Sequence, residues 1–154
     1  MEVLDRLIRE LELHIVRTVK EHDAGSFLHL RSLPGIGKIL ALTILYEIHD
    51  IHRFPRVQDF ASYCRLVKCA KESSGKRLGT AGSKIGNVHL KWAYSEAAVL
   101  FLRKNPKGQT LFKKLQRKHG KGKALSILAH KIGRATYHML VRGTVFDMEK
   151  FMTA

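Results

Sequence analysis

The sequence predicts an all-α domain interrupted by one long polar loop. Apolar residues recur at helical spacing from Val3 to Val16, from Leu40 to Ile48 and from Val88 to Leu102. Between Lys68 and Asn87 that periodicity stops, in a stretch holding four glycines, three serines and five basic residues. A loop of that length inside a packed domain usually has a task. With 154 residues, 45% of them hydrophobic, the chain is long enough for one domain with a real core.

From Val3 to Glu21 the apolar residues form a narrow face between charges, so residues 1–22 read as one coiled-coil-like helix or the end of a linker helix. Asp23-Ala24-Gly25-Ser26 ends it, and residues 23–154 read as the domain proper. Phe27 to Ser32 predicts a short helix, Leu33 to Lys38 a tight turn, and Ile39 to Ile48 an apolar helix. Leu-Pro-Gly-Ile-Gly between two helices resembles a helix-hairpin-helix element over residues 27–49. Gly35 and Gly37 would let the backbone turn with exposed N–H groups, which together with Lys38 suit a phosphate.

Asp50 to Arg56 is a connector and Val57 to Tyr63 a further short helix, with Phe60, Ala61 and Tyr63 as anchors. Leu66-Val67 reads as a brief strand, paired near Leu78 in a small β-hairpin inside the loop. Asn87 is placed to cap a helix from Val88 to about Lys104, apolar almost all round and therefore central. Asn105 to Gly108 stops it. Gln109 to His119 is a basic amphipathic helix, with Lys113, Lys114, Arg117 and Lys118 outward. Lys123 to Arg142 is the last long helix, ended by Gly143, and Phe146 and Phe151 pack the tail.

The charge narrows the partners. The net charge is +15, and residues 1–63 hold 8 Lys+Arg against 9 Asp+Glu, so the excess lies in the second part. A field of that size favours a polyanion, nucleic acid first and an acidic membrane surface second. No apolar run approaches a membrane span, and Glu2 and Asp5 spoil the positive start of a signal peptide. Cys64 and Cys69 lack metal or disulfide spacing and read as reduced thiols. The expectation is a cytoplasmic protein.

Chemistry is sparse. From Cys64 onward the only carboxylates are Glu72, Glu96, Asp147 and Glu149, too scattered for a Mg²⁺ site, so no metal and no cofactor is expected on this chain. His49 with His52, or His130 with His138, make poor ligand sets. His130, Arg134 and His138 share one helical stripe and read as a polar or phosphate-facing surface. Nucleophiles are better served. Ser73 and Ser74 are flanked by Lys68, Lys71, Lys76 and Arg77, with Gly75 allowing close approach. Ser83, followed by Lys84, is the rival. Residue chemistry alone leaves the three open and shows no general base. The basic groups expected on nucleic acid are these loop cations together with Lys91, Lys121 and Lys123.

One ordered set of motifs spans roughly residues 27–148: Leu33 to Gly37, Phe60 to Tyr63, Arg65 to Val67, Glu72 to Lys76, Ser83 to Asn87, Leu90 to Ala98 and Gly120 to Ala124. Together they resemble the C-terminal transposase domain of the IS-one-ten family of insertion-sequence transposases, relatives of the Piv invertase. The resemblance implies a recombinase of DNA transposition, with DNA and in several members a structured bridge RNA as partners. It implies a composite active site. A RuvC-like domain with a DEDD cluster, absent from these residues, holds Mg²⁺, and this domain supplies a serine, at Ser73 here. The Ser83-Lys84 stretch is implied as loop support or backbone binding. The expectation is a chain unable to recombine DNA alone, forming homo-oligomers through its first helix. Three departures stand out: Arg65 where many relatives have glycine, Lys68 where many have proline, and the unusual Cys64. The other reading is a non-catalytic helix-hairpin-helix module that only grips nucleic acid.

Overall fold

A computed structural model of the chain describes residues 2–67, 70–73, 76–80 and 85–153. Among them are eight α-helices, α1 Glu2–His22, α2 Ala24–Ser32, α3 Lys38–Ile48, α4 Val57–Tyr63, α5 Val88–Phe101, α6 Pro106–His119, α7 Lys121–Arg142 and α8 Met148–Thr153. A 3-10 turn, Ile51–Arg53, links α3 to α4, and two strands, β1 Ala70–Ser73 and β2 Lys76–Thr80, form one antiparallel hairpin. The fold is all-α around that hairpin, as the periodicity predicts. No helix of the described residues is long and apolar enough to cross a membrane.

Local chemistry sets the helix starts. Asp23, expected only to end α1, also opens α2, its carboxylate accepting from Ser26 N at 3.1 Å. Asn105 likewise starts α6 three residues earlier than periodicity suggests, accepting from Gly108 N at 3.0 Å, with Pro106 at the first helical position. The stop signals in the sequence are therefore also start signals.

The core lies where α5, α7, α3 and α4 meet, around Phe60, Ile44, Leu90, Tyr94, Phe101, Leu128 and Ile132, all fully buried. Tyr94 is a core residue that an apolar-residue reading passes over. Burial pushes its phenol well above the usual range, with Cys64 adding to the rise. The central helix is not closed on every side: Trp92 is 48% and Val99 44% exposed, leaving one flank of α5 open. The tail packs as expected, with Phe151 buried and 5.2 Å from the ring of Phe101.

α1 differs most from the rest. Only its last turn enters the core, through Val19, while Leu4, Leu7, Ile8, Leu11 and Leu13 are about half exposed or more. The narrow apolar face has no partner among the described residues.

The small hairpin is present, but not where Leu66-Val67 would put it. Leu66 instead completes the end of α4, its N–H donating to Ala61 O at 2.9 Å while Arg65 N donates to Ser62 O at 3.0 Å. This pair of bonds is a Schellman ending, which needs a left-handed residue at its centre. Arg65 takes that conformation, with φ of 54°. The Leu66 side chain is used for packing, against Gly133 of α7, so the strand begins only at Ala70.

Candidate nucleic-acid interface

The end of α4 and the residues just before α5 meet in a closed neck. Asn87 N donates to Tyr63 O at 2.7 Å. Arg65 Nε donates to Gly86 O at 2.8 Å. Gly86 sits at φ of 97°, and a Cβ there would fall 2.6 Å from Tyr63 O, so no other residue closes the neck this tightly. Asn87 then has two tasks. Its side-chain oxygen accepts from Leu90 N at 2.9 Å and caps α5, and its amide donates to Glu47 of α3 at 2.6 Å. The two ends of the loop are thus fastened to α4, α5 and α3 together. Replacing Asn87 by Ala removes the cap and strands the half-buried Glu47 carboxylate; a loss of about 1–2 kcal/mol in urea unfolding is expected.

Between the two sides of the neck the chain forms the hairpin. Ala70 pairs with Thr80, Glu72 with Arg77 and Ser73 with Lys76, with an irregularity between Ala70 and Glu72. Ser73 is the last residue of β1, and its register partner on β2 is a lysine. Lys71 lies in β1, and Lys76 and Arg77 in β2. Lys68, Ser74, Ser83 and Lys84 lie outside the described residues.

The other sequence-predicted residues divide. Lys91 is exposed on the first turns of α5, near the neck. Gly35, expected to offer an N–H to phosphate, is held against α5: a Cβ there would lie 2.5 Å from Phe101 N and 2.7 Å from Ala97 O. Its φ of 94° and this close approach give it a packing role. Gly37 and Lys38 are exposed at the start of α3, and Gly37 has open space where a Cβ would be. Because Gly35 meets the end of α5 while Glu47 meets its start, α3 and α5 run antiparallel. The Gly37–Lys38 turn and the hairpin neck therefore lie at opposite ends of that pair, not in one site. Lys121 and Lys123 are exposed at the start of α7, whose cap residue Gly120 offers no side chain. The N–H groups there stay open to an anion.

Among the described residues no group of three or more His, Cys, Asp or Glu side chains is able to hold a metal ion. The described residues do not fit a Mg²⁺ site. Cys64, buried at the end of α4, has its thiol pushed far up by burial and is no nucleophile. Glu47 is the part of the neck that sequence reasoning did not single out, while Tyr63 was read as a packing anchor and Arg65 as a motif residue. The Gly86-Asn87 pair was the visible signal for it.

The turn before α3, the neck, the hairpin and α5 all fall within one stretch that matches a known family. The model described as "Transposase IS116/IS110/IS902 family" covers residues 28–113, more than half of the 154. The chain belongs to this transposase family. Its relatives include the transposase for insertion sequence element IS1111A of Coxiella burnetii, 30% identical over 117 residues, covering 73% of this chain and 32% of the relative. The insertion element IS110 uncharacterized 43.6 kDa protein of Streptomyces coelicolor is 30% identical over 141 residues, covering 90% of this chain and 34% of the relative. The chain thus spans about a third of the length of the curated relatives it matches. The family match starts in α2 and stops in α6, so α7 lies beyond it.

Proposed function

We propose that this chain is the C-terminal, DNA-binding domain of an insertion-sequence transposase, and that it supplies the serine of a composite active site. The observation that carries the reading is the hairpin, which ends its first strand at Ser73 in register with Lys76 within the family-matched stretch. Ser73 Oγ forms a bond to the scissile phosphorus of a DNA strand. One phosphorus–oxygen bond to sugar breaks, and the sugar oxygen leaves as a hydroxyl. Lys71, Lys76 and Arg77 offset the charge that builds on the phosphate. The acids and Mg²⁺ of the composite site belong to the RuvC-like domain of the whole transposase, and this domain alone is inactive in strand cleavage.

The nucleic-acid contacts are the hairpin cations and Lys91 at one end of α5, the Gly37–Lys38 start of α3 as a helix-hairpin-helix contact, and Lys121 and Lys123 at the start of α7. A structured guide RNA is the second ligand of the same cations, and the working compartment is the cytoplasm. Binding by the full chain is measured as a salt titration on duplex DNA. With six or more phosphates neutralised, the logarithm of the affinity is expected to fall with a slope of about −5 or steeper. A slope near zero would sink the reading.

A non-catalytic binding module is the other reading, and the absence of any described metal-holding cluster on this chain is compatible with it. Binding retained with cleavage intact after loss of Ser73 would favour it.

The exposed α1 seam pairs with α1 of a second copy. Leu4, Leu7, Ile8 and Leu11 recur at the spacing of a two-helix seam, and the chain's described elements offer that face no other helix. Light scattering should give a dimer that Leu7→Lys with Leu11→Lys converts to monomer; a wild-type monomer at high concentration would contradict the pairing.

A further inference from the structure

The last long helix carries a charge pattern that the interface above leaves unused. From Ala97 to Phe146 the sequence has no Asp or Glu and twelve Lys or Arg. Within that stretch α7 sets His130, Arg134, His138 and Arg142 on successive turns, over about 18 Å of helix. Gly133 and Tyr137, their neighbours on the wheel, meet the Leu66 side chain and the Phe54 carbonyl. The row therefore begins beside the root of the hairpin neck and continues past the Ile51–Arg53 turn. His130 and His138 are half buried, and Arg134 and Arg142 are exposed.

No hydrogen bond or ion pair holds any of these four side chains among the described residues. Asp23, His49, Asp50 and His52 line a recess with Leu140 of α7, where Asp23 accepts from Ser26 N and Asp50 from His52 N, and Lys131 beside the row lies over the Phe151 ring. Asp59 of α4 is paired with Arg56, and Asp147 and Glu149 are paired with Lys150 and Lys107. Glu96 of α5 lies beside Leu125 and Ser126, about a turn before His130. Arg53 lies over the rings of Phe54 and Tyr63, and His29 of α2 lies near Gly143. Lys113, Lys114, Arg117 and Lys118 of α6 add only positive charge.

Arg134 and Arg142 stand two turns apart, so a charge on His130 or His138 would set like charges one turn apart. Burial first, then Arg134, holds His130 below its ordinary value; burial, then Arg142 and Arg134, does the same for His138. Both imidazoles are thereby biased toward their neutral forms. An anion along the row relieves the repulsion and favours their charged forms.

We propose that His130, Arg134, His138 and Arg142 form a track for a nucleic-acid phosphodiester backbone, on which both imidazoles take up protons from solvent as the phosphates arrive. The track rests on the nucleic-acid reading above and adds to it a site beyond the family-matched stretch and a pH dependence. The bound state holds more protons than the free one, so affinity rises as pH falls.

The test is fluorescence anisotropy with the full chain at fixed ionic strength, at about pH 5.5 and about pH 7.5. Two probes are used, a DNA duplex and an RNA hairpin stem of about 20 base pairs each. Wild type is expected to bind at least one of them roughly tenfold tighter at the lower pH. His130→Gln with His138→Gln should lose most of that gain between the two pH values, which separates these two from the other seven histidines of the sequence. Arg134→Gln with Arg142→Gln should weaken binding about tenfold at both pH values and reduce the salt slope by about 1.8. The probe that responds identifies the backbone as DNA or RNA. A pH gain that survives the histidine pair, or a wild-type salt slope in the arginine pair, overturns the track alone. Failure of wild type to bind either probe at about 50 mM salt overturns the nucleic-acid reading and the track together.

Discussion

Gly35→Ala is expected to destabilise the domain by roughly 3 kcal/mol or more, a large share of the stability of any small domain. Two costs combine. Gly35 sits at φ of 94°, where an L side chain is strained by about 1–2 kcal/mol. A Cβ would also meet the backbone of α5 at 2.5 Å from Phe101 N and 2.9 Å from Phe101 Cα. Backbone atoms inside a helix cannot swing aside, so the turn must move away from α5 and open the core beneath it. Gly37→Ala, two residues on, is the control. Gly37 has φ of −82° and open space around its Cβ position, so its urea midpoint should stay within about 0.5 kcal/mol of wild type. An unchanged midpoint for Gly35→Ala would mean that the turn does not pack on α5.

Ser73→Ala is expected to lower strand cleavage by on the order of 10³-fold or more when made at the matching position of a full-length family member, with DNA binding unchanged. The reason is placement. Ser73 ends a strand whose register partner residue is Lys76. An alanine leaves the hairpin pairing and the surrounding cations intact, so only the attacking oxygen is lost. The matching changes at Ser74 and Ser83 should cost far less, because neither is the residue implied by the motif order. Equal loss at all three positions would point to a loop that needs its hydroxyls for shape.

Much of the fold was legible because it rests on periodicity. α4 runs from Val57 to Tyr63 as its apolar spacing indicates, and Asn87 caps α5 as its residue type suggests. What was not legible depends on contacts distant in sequence. Leu66 looks like a strand residue until Gly133, far along the chain, opens a place for its side chain. Gly35 looks like a phosphate-facing turn glycine until α5 lies across it. Arg65, a departure from the glycine of many relatives, stands at a left-handed helix ending where glycine is the easier choice. Its guanidinium bond to Gly86 O gives a local return for that strain. The candidate site was half legible: charge and serines marked the loop, whereas the neck that fixes it depends on Glu47, Tyr63 and Asn87 meeting in space.

The most direct measurement on the central claim is the site of covalent attachment. A full-length family member is incubated with cleavable DNA and its metal ion, the protein–DNA adduct is digested, and the nucleotide-bearing residue is read by tandem mass spectrometry. The account predicts a phosphate ester on the serine aligned with Ser73. An adduct on the residue aligned with Ser74 or Ser83, or cleavage that proceeds with no adduct on this domain, would contradict it.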